Sequence, residues 1–242
     1  MKTFRLQRPI SRHERFICLF WIMLAVIVAQ TSFAQTTPNW ELKKDENGIK
    51  VWVSEVPGSK FKQFKGETTV KATLGSLVTI HQGLASYNKW MYKNKIGEVK
   101  SKKDYPMGER GDTISEAYSY IINAFPSPYE DRDIVVHSFV TQNKSTKEVR
   151  ISLRGLKDYL PARQGLTRIE DLYGYWLFTP VGCDSVKITY VMYTNPSGNV
   201  FSWVANMFIV DFPFETLKNL ASMLGNPQTS SVRHAGILEP CK

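Results

Sequence analysis

The sequence is poor in the groups that make catalytic and metal centres recognisable. Its four histidines, His13, His81, His137 and His234, are widely scattered, and none has a partner at His-x-x-x-His or Cys-x-x-Cys spacing, which argues against a zinc site. There is no Gly-x-Ser-x-Gly elbow, Walker loop or dinucleotide fingerprint, and Gly108-Glu109-Arg110-Gly111 reads as an ordinary turn. No catalytic residue and no cofactor are therefore expected. Dense arginine blocks are missing too, as are Pro/Gly/Ser-rich linkers and internal repeats between Trp40 and Leu224, so one domain is the simpler reading. No apolar run reaches the roughly 20 residues that a membrane-spanning helix needs.

The longest such run, Phe16 to Ala29, is 14 residues and follows a segment carrying Lys2, Arg5, Arg8, Arg12 and Arg15 against the single acid Glu14. A basic segment, a short apolar run and small residues in Ser32-Phe33-Ala34 together describe a cleavable signal peptide spanning 1–34, with a mature N-terminus at Gln35. An uncleaved N-terminal anchor is the alternative. The expected location is periplasmic or extracellular, which argues against a nucleic-acid partner. Cleavage leaves 26 bases against 21 acids, a net of +5, so the full-chain +9 overstates the mature charge. That excess, spread through Lys43, Lys44, Lys60, Lys62, Lys65, Lys93, Lys95 and Lys100 to Lys103, reads as a solvated basic face, with transient contact to anionic lipid headgroups as the other reading. Of three cysteines, Cys183 and Cys241 remain after cleavage. Sequence does not fix their pairing, but as the only pair left in an oxidising compartment they are expected to form a disulfide.

Periodicity gives an α+β domain over 38–228 with a tail at 229–242. Two strands flank Asp45-Glu46-Asn47-Gly48, whose Asn-Gly favours a tight hairpin. A third strand covers Phe61–Val70, and a helix runs from Leu74 to about Tyr92 with Gly83 as a weak point. Strands then follow at Ile96–Lys102, Thr113–Asn123, Asp133–Gln142, Val149–Leu156, Thr167–Phe178 and Ser185–Thr194. From Asn199 to Leu224 the pattern is that of one long amphipathic helix bent at Pro213. An antiparallel sheet curled around that last helix can enclose an apolar tunnel, the usual form of a small-molecule site.

Three stretches are more specific. Pro126-Ser127-Pro128-Tyr129-Glu130-Asp131-Arg132-Asp133 leads into a strand, Gly174-Tyr175-Trp176-Leu177-Phe178-Thr179-Pro180 ends one, and Tyr193-Thr194-Asn195-Pro196-Ser197-Gly198 leads to Trp203, Asn206, Pro213, Thr216 and Leu217. In order and spacing they resemble the START (StAR-related lipid transfer) family, with Asn195 for that family's usual Asp and Ser197 for the first Gly of its turn. Both departures keep turn-favouring residues. The resemblance implies a helix-grip fold, seven to nine antiparallel strands gripping the C-terminal helix around one lipid or sterol-like molecule, in a chain expected to be a monomer. Relatives on the same scaffold include aromatic cyclases, so a cyclase- or hydrolase-like cavity enzyme is the alternative function.

On that scaffold, alternation puts Glu116, Tyr118 and Tyr120 on one side of their strand, and if that side faces the tunnel they form a polar handle. A solvent-facing Glu116 is the other reading. Ser138 stands where such a family carries a basic partner for a buried acid, which leaves Glu116 without its counter-charge. Val136 shares the face of Ser138; Phe201, Val204 and Phe208 lie on the apolar side of the last helix. Arg150 and Arg154 share one strand face, either as a solvated stripe or with Arg150 reaching an acidic ligand group. The resemblance assigns Arg132 to an ion pair that ties its loop down. A cyclase-like site would need His137 with Glu116 across the tunnel, but His137 and Ser138 have opposite parity, so only one faces inward. The loop Lys157–Gly165, with Tyr159, Leu160 and Pro161, is expected to act as a lid that moves with the helix start about Asn195-Pro196-Ser197-Gly198, while Phe201 and Trp203 meet a membrane.

Overall fold

Asn47 and Gly48 both take positive φ, 54° and 73°, and so close the hairpin between β1 (Glu41–Glu46) and β2 (Ile49–Ser54). The structure is a computed structural model that describes residues 37–106 and 108–241; the expected signal peptide lies outside these residues. After β3 (Gln63–Lys71), helix α1 (Leu74–Gln82) is capped by Thr73, whose Oγ1 accepts from the Ser76 amide. The expected helix to Tyr92 breaks at Gly83 into a 3₁₀ turn (Leu84–Ser86) and the short α2 (Tyr87–Trp90).

Then come β4 (Asn94–Asp104), β5 (Thr113–Asn123), β6 (Asp131–Gln142), β7 (Val149–Gly155), β8 (Leu166–Arg168), β9 (Asp171–Val181) and β10 (Ser185–Asn195). The segment read as one strand from Thr167 is thus two. β8 pairs parallel with β6, Arg132 opposite Thr167, and every other pairing is antiparallel. Among the described residues ten strands form one open sheet; nine follow the order β1-β2-β3-β10-β9-β7-β6-β5-β4 with β8 off this path beside β6, so the last strand inserts beside the third.

The C-terminal helix is also divided, into α3 (Ser202–Met207) and α4 (Asp211–Leu224), followed by α5 (Pro227–Ser230). Pro213 sits in the first turn of α4, where a missing N–H costs least, so it starts a helix instead of bending one. α4 buries Phe214, Leu217, Leu220 and Leu224 against the sheet. It comes so close that a Cβ on Gly66 of β3 would lie 2.8 Å from Leu217 Cδ1. The antiparallel sheet and its C-terminal helix form the expected α+β helix grip, with ten strands.

The tail is anchored. Glu239 accepts from the Leu74 and Gly75 amides at 3.0 and 2.8 Å, at the N-terminus of α1, and Gln142 exchanges two 2.8 Å hydrogen bonds with the Leu238 backbone. Cys183, in the β9–β10 turn, is bridged to Cys241, Cα to Cα 5.4 Å, as the cysteine count implies.

Candidate functional site

Between the sheet and α3–α4 lies a cavity of about 300 Å³, at the lower end of the ~300–1,000 Å³ typical of small-molecule sites. Register decides its wall. β5 contributes Ser115, Ala117, Ser119 and Ile121; β6 contributes Ile134, Val136, Ser138 and Val140; β7 contributes Ile151 and Leu153. The pairs Ala117–Ser138 and Ser119–Val136 stand directly opposite one another. These side chains are small or aliphatic and uncharged, and short side chains on facing strands are what leave the volume. Trp176 and Tyr190, stacked at 3.6 Å between centroids, floor it, and α3 with the turn after it closes it with Ala205, Phe208 and Ile209.

His81 of α1 also lines the cavity. Burial pushes its pKa down to about 4, and its Nδ1–H donates to the Leu77 carbonyl at 2.8 Å, so it is neutral at physiological pH.

Of the residues expected to line a tunnel, Val136, Ser138 and Phe208 do so. Glu116, Tyr118 and Tyr120 do not: they have the opposite parity to Ser115, Ala117 and Ser119 and stand on the outer face of the sheet. Arg150 lies outside as well, its guanidinium 3.6 Å from the Tyr175 ring centroid, because Ile151 and Leu153 take the inner positions of β7. Val204 is buried in α3 but turned away from the cavity, and Phe201, ahead of α3, is 65% exposed.

Glu116 and His137 do meet, at 2.6 Å, but on that outer face and not in the cavity. Hydrogen bonds from Tyr105, then from His137 and Arg110, hold Glu116 at about 2, below its ordinary 4.5, so the carboxylate that His137 donates to is ionised. Tyr118 stacks on His137 and on Tyr159 at 4.3 and 4.9 Å. A cyclase-like pairing of this His and Glu inside the cavity is thereby corrected.

The lid expectation is corrected in the same way. Leu160 packs on Tyr120, Ile122 and Val135 on the outer face, and no residue of 157–165 lines the cavity. Arg168 pins this loop, donating to the Lys157, Leu160 and Pro161 carbonyls at 2.7, 2.9 and 3.1 Å and forming a bidentate pair with the buried Asp133 at 2.9 and 2.8 Å. Burial opposes ionisation of Asp133, but the hydrogen bonds from Arg168 and Tyr120 outweigh it and hold its pKa below the ordinary 3.8. Its contribution to stability is therefore present above that value and lost as pH falls through the lower folded one. Arg168→Leu is expected to strand this carboxylate, costing about 3–5 kcal/mol. The measurements are a urea midpoint and limited proteolysis, with new cleavage between Lys157 and Gly165; an unchanged midpoint would contradict the assignment.

Arg132 was expected to make an ion pair. It is 3% exposed and lines the cavity, and it donates to backbone carbonyls instead: Nε to Pro196 at 2.7 Å, Nη2 to Ser197 at 3.4 Å, and Nη1 to Glu130. It still ties its loop to the Asn195–Gly198 turn. Burial pulls its pKa down from the ordinary value, with Glu130, Asp131 and Tyr129 opposing.

Sequence reasoning found Val136 and Ser138 of β6 but missed the β5 and β7 parts of the wall. The signal was present as small residues at alternate positions, Ser115, Ala117 and Ser119, but two tyrosines and a glutamate on the other parity looked more like chemistry.

No family model matches the chain. Over 200 residues it is 32% identical to an uncharacterized protein of Pseudomonas aeruginosa, spanning 83% of this chain and 94% of that one. It is similar to the crystal structure of a STAR-related lipid transfer protein from Xanthomonas axonopodis, with 34% identity and a TM-score of 0.68 over 77% of this chain and 99% of that one. The fold is shared with human StAR-related lipid transfer protein 5, at 15% identity and a TM-score of 0.59 over 86% and 96% of the two chains.

Proposed function

The chain belongs to the StAR-related lipid transfer family, and from that premise we propose that it is an exported carrier that holds one lipid, sterol or similar hydrophobic molecule in the cavity between sheet and helix. The observation that carries this reading is the composition of the wall: Ala117, Ile121, Ile134, Val136, Val140 and Phe208 offer a broad apolar surface interrupted by serine hydroxyls, and the charged side chains of the lining are Lys93, Lys102 and Arg132. Burying an alkyl or ring system there gains about 25 cal/mol per Å² of apolar surface.

α3 supports contact with a membrane. Trp203 and Met207 are 65% and 55% exposed, Phe201 precedes them at 65%, and on its other side Ala205 faces the cavity. The backbone of Lys60 and Lys62 lies next to this patch, the Lys62 amide donating to Asn206 Oδ1 at 3.2 Å and Asn206 Nδ2 donating to the Lys60 carbonyl at 3.4 Å; the Lys62 ammonium pairs with the exposed Glu55, and Lys60 is in no ion pair among the described residues. Aromatic and apolar side chains beside lysines suit an anionic bilayer surface.

Native mass spectrometry of the exported protein, purified without detergent, tests the reading: the expected mass starts at Gln35 and carries a lipid-sized adduct. An intact chain in the membrane fraction overturns export, and a bare chain that takes up no fluorescent lipid overturns carriage. Replacing Phe201 and Trp203 with serine is expected to slow transfer between anionic vesicles about tenfold, worth roughly 1.4 kcal/mol, with ligand affinity unchanged.

A further inference from the structure

Among the described residues, three cations and no carboxylate line the cavity. Lys102 is paired with Asp104 at 3.0 Å, but Arg132 and Lys93 have no carboxylate within ion-pair distance among the described residues. Both stand at one end of the cavity. Arg132 is opposite Asn123 in the β5–β6 register, and the Lys93 carbonyl accepts from the amide of Ala124, the next residue.

Strand parity explains why Arg132 is left alone between two acids. Its side chain shares the inward face of β6 with Ile134 and Val136, so Asp131 and Asp133 point the other way. Asp131 accepts from Lys95 at 2.5 Å and from the Phe125 amide, and Asp133 accepts from Arg168 and Tyr120. The neighbouring Glu130 carboxylate accepts from Thr167 at 2.8 Å. Arg132 itself donates to three carbonyls. A guanidinium has five N–H groups, so two have no protein acceptor. Carbonyl dipoles satisfy hydrogen bonds without cancelling the charge, Glu130 and Asp131 offset it only from beyond ion-pair distance, and the Phe125 ring lies 4.2 Å from it, so the buried guanidinium is left with an incompletely balanced charge, which is costly.

We propose that the molecule carried in this cavity has an anionic head group, a carboxylate or a phosphate ester, seated between Arg132 and Lys93 with its apolar body against the β5–β6 wall. This rests on the cavity being a lipid site and narrows the class of lipid. A carboxylate or phosphate takes the two free N–H groups of Arg132 in charge-assisted hydrogen bonds, and Lys93 supplies a second charge from the exposed rim. A cationic head group would meet two like charges and no acid.

The test uses a fluorescent polyene fatty acid, its methyl ester and the corresponding alcohol, three probes of the same apolar body. The acid is expected to bind about tenfold more tightly than the other two, as a charge-assisted contact implies, and this preference should shrink as salt rises. Lys93→Gln is expected to weaken the acid about threefold and leave the ester unchanged, an effect sized for a partly exposed charge. Arg132→Gln should erase the preference; if that variant does not fold, Lys93→Gln decides, and an unchanged acid-to-ester ratio overturns the proposal. Equal binding of all three probes by the unmodified protein also overturns it while leaving a hydrophobic-ligand carrier standing. Failure of every probe to bind overturns the carrier reading instead. Displacement of the acid by inorganic phosphate at matched ionic strength, without displacement of the ester, fits the head-group site; an affinity indifferent to the alkyl chain assigns these cations to a free anion and overturns the lipid assignment.

Discussion

Ser138→Trp is expected to abolish uptake of a fluorescent lipid, lowering affinity by more than tenfold, while the protein stays folded. Ser138 stands midway along the inner face of β6, opposite Ala117, with only a 3.4 Å contact from its hydroxyl to the Ala117 carbonyl to lose. Overfilling a packed core costs roughly 1–3 kcal/mol, but here the indole enters space that the structure leaves open, so the melting temperature should move little. The control is one residue away. Phe139 lies on the outer face against His137, with ring centroids 4.1 Å apart, and Phe139→Trp is expected to leave binding intact. Isothermal titration or probe fluorescence on the two variants checks the pair. Equal affinity in both would mean that the ligand does not occupy the cavity, and the carrier reading would fall with it.

Removing the disulfide is the second large effect. The bridge joins residues 58 apart, and in the chain-entropy account a loop of that length stabilises by about 4 kcal/mol. For a domain of this size Cys241→Ser should then lower the melting temperature by on the order of 10 °C. The loss falls on a particular place. With the tail released, Glu239 no longer accepts from the first amides of α1, and Gln142 loses its two partners on Leu238. Gly75 marks how tightly the tail lies there, since a Cβ on it would meet the His234 amide nitrogen at 2.5 Å. Calorimetry with and without a dithiol reductant measures the effect; coincident transitions would show that the tail contacts hold without the bridge.

Local chemistry was legible wherever one or two residues decide the conformation. Asn47-Gly48 marks a hairpin, Gly83 stands out as a weak point although the helix stops there instead of running on to Tyr92, and Cys183 and Cys241, the pair expected in an oxidising compartment, are bridged. The Asp-Arg-Asp stretch ties its loop to the Asn195–Gly198 turn, as the resemblance implies, but through backbone carbonyls and not through an ion pair. Alternation sends both acids outward, to Lys95 and Arg168, and leaves Arg132 to the carbonyls of the turn it holds. The continuous apolar stripe through Pro213 suggests one bent helix, but a proline costs little in a first turn, and a new helix starts at Asp211 instead.

The sequence by itself determined the alternation of most strands and helices, the turn that leads from β10 to the C-terminal helices and, through motif order, the family and the helix grip that it implies, because periodicity, turn residues and motif order are local properties. Only the tertiary structure decided which face of β5, β6 and β7 is the inside. Alternation says which residues share a face but not which face is covered. Here both are: α3 and α4 cover one, and the loop from Leu156 to Leu166 covers part of the other, burying Tyr120 and Val135 as fully as any residue of the main core. With two covered faces, apolar character cannot mark the inner one. What marks it is the smallness of Ser115, Ala117, Ser119 and Ser138, and that becomes a cavity only when the strands are placed beside one another and a helix is laid across them.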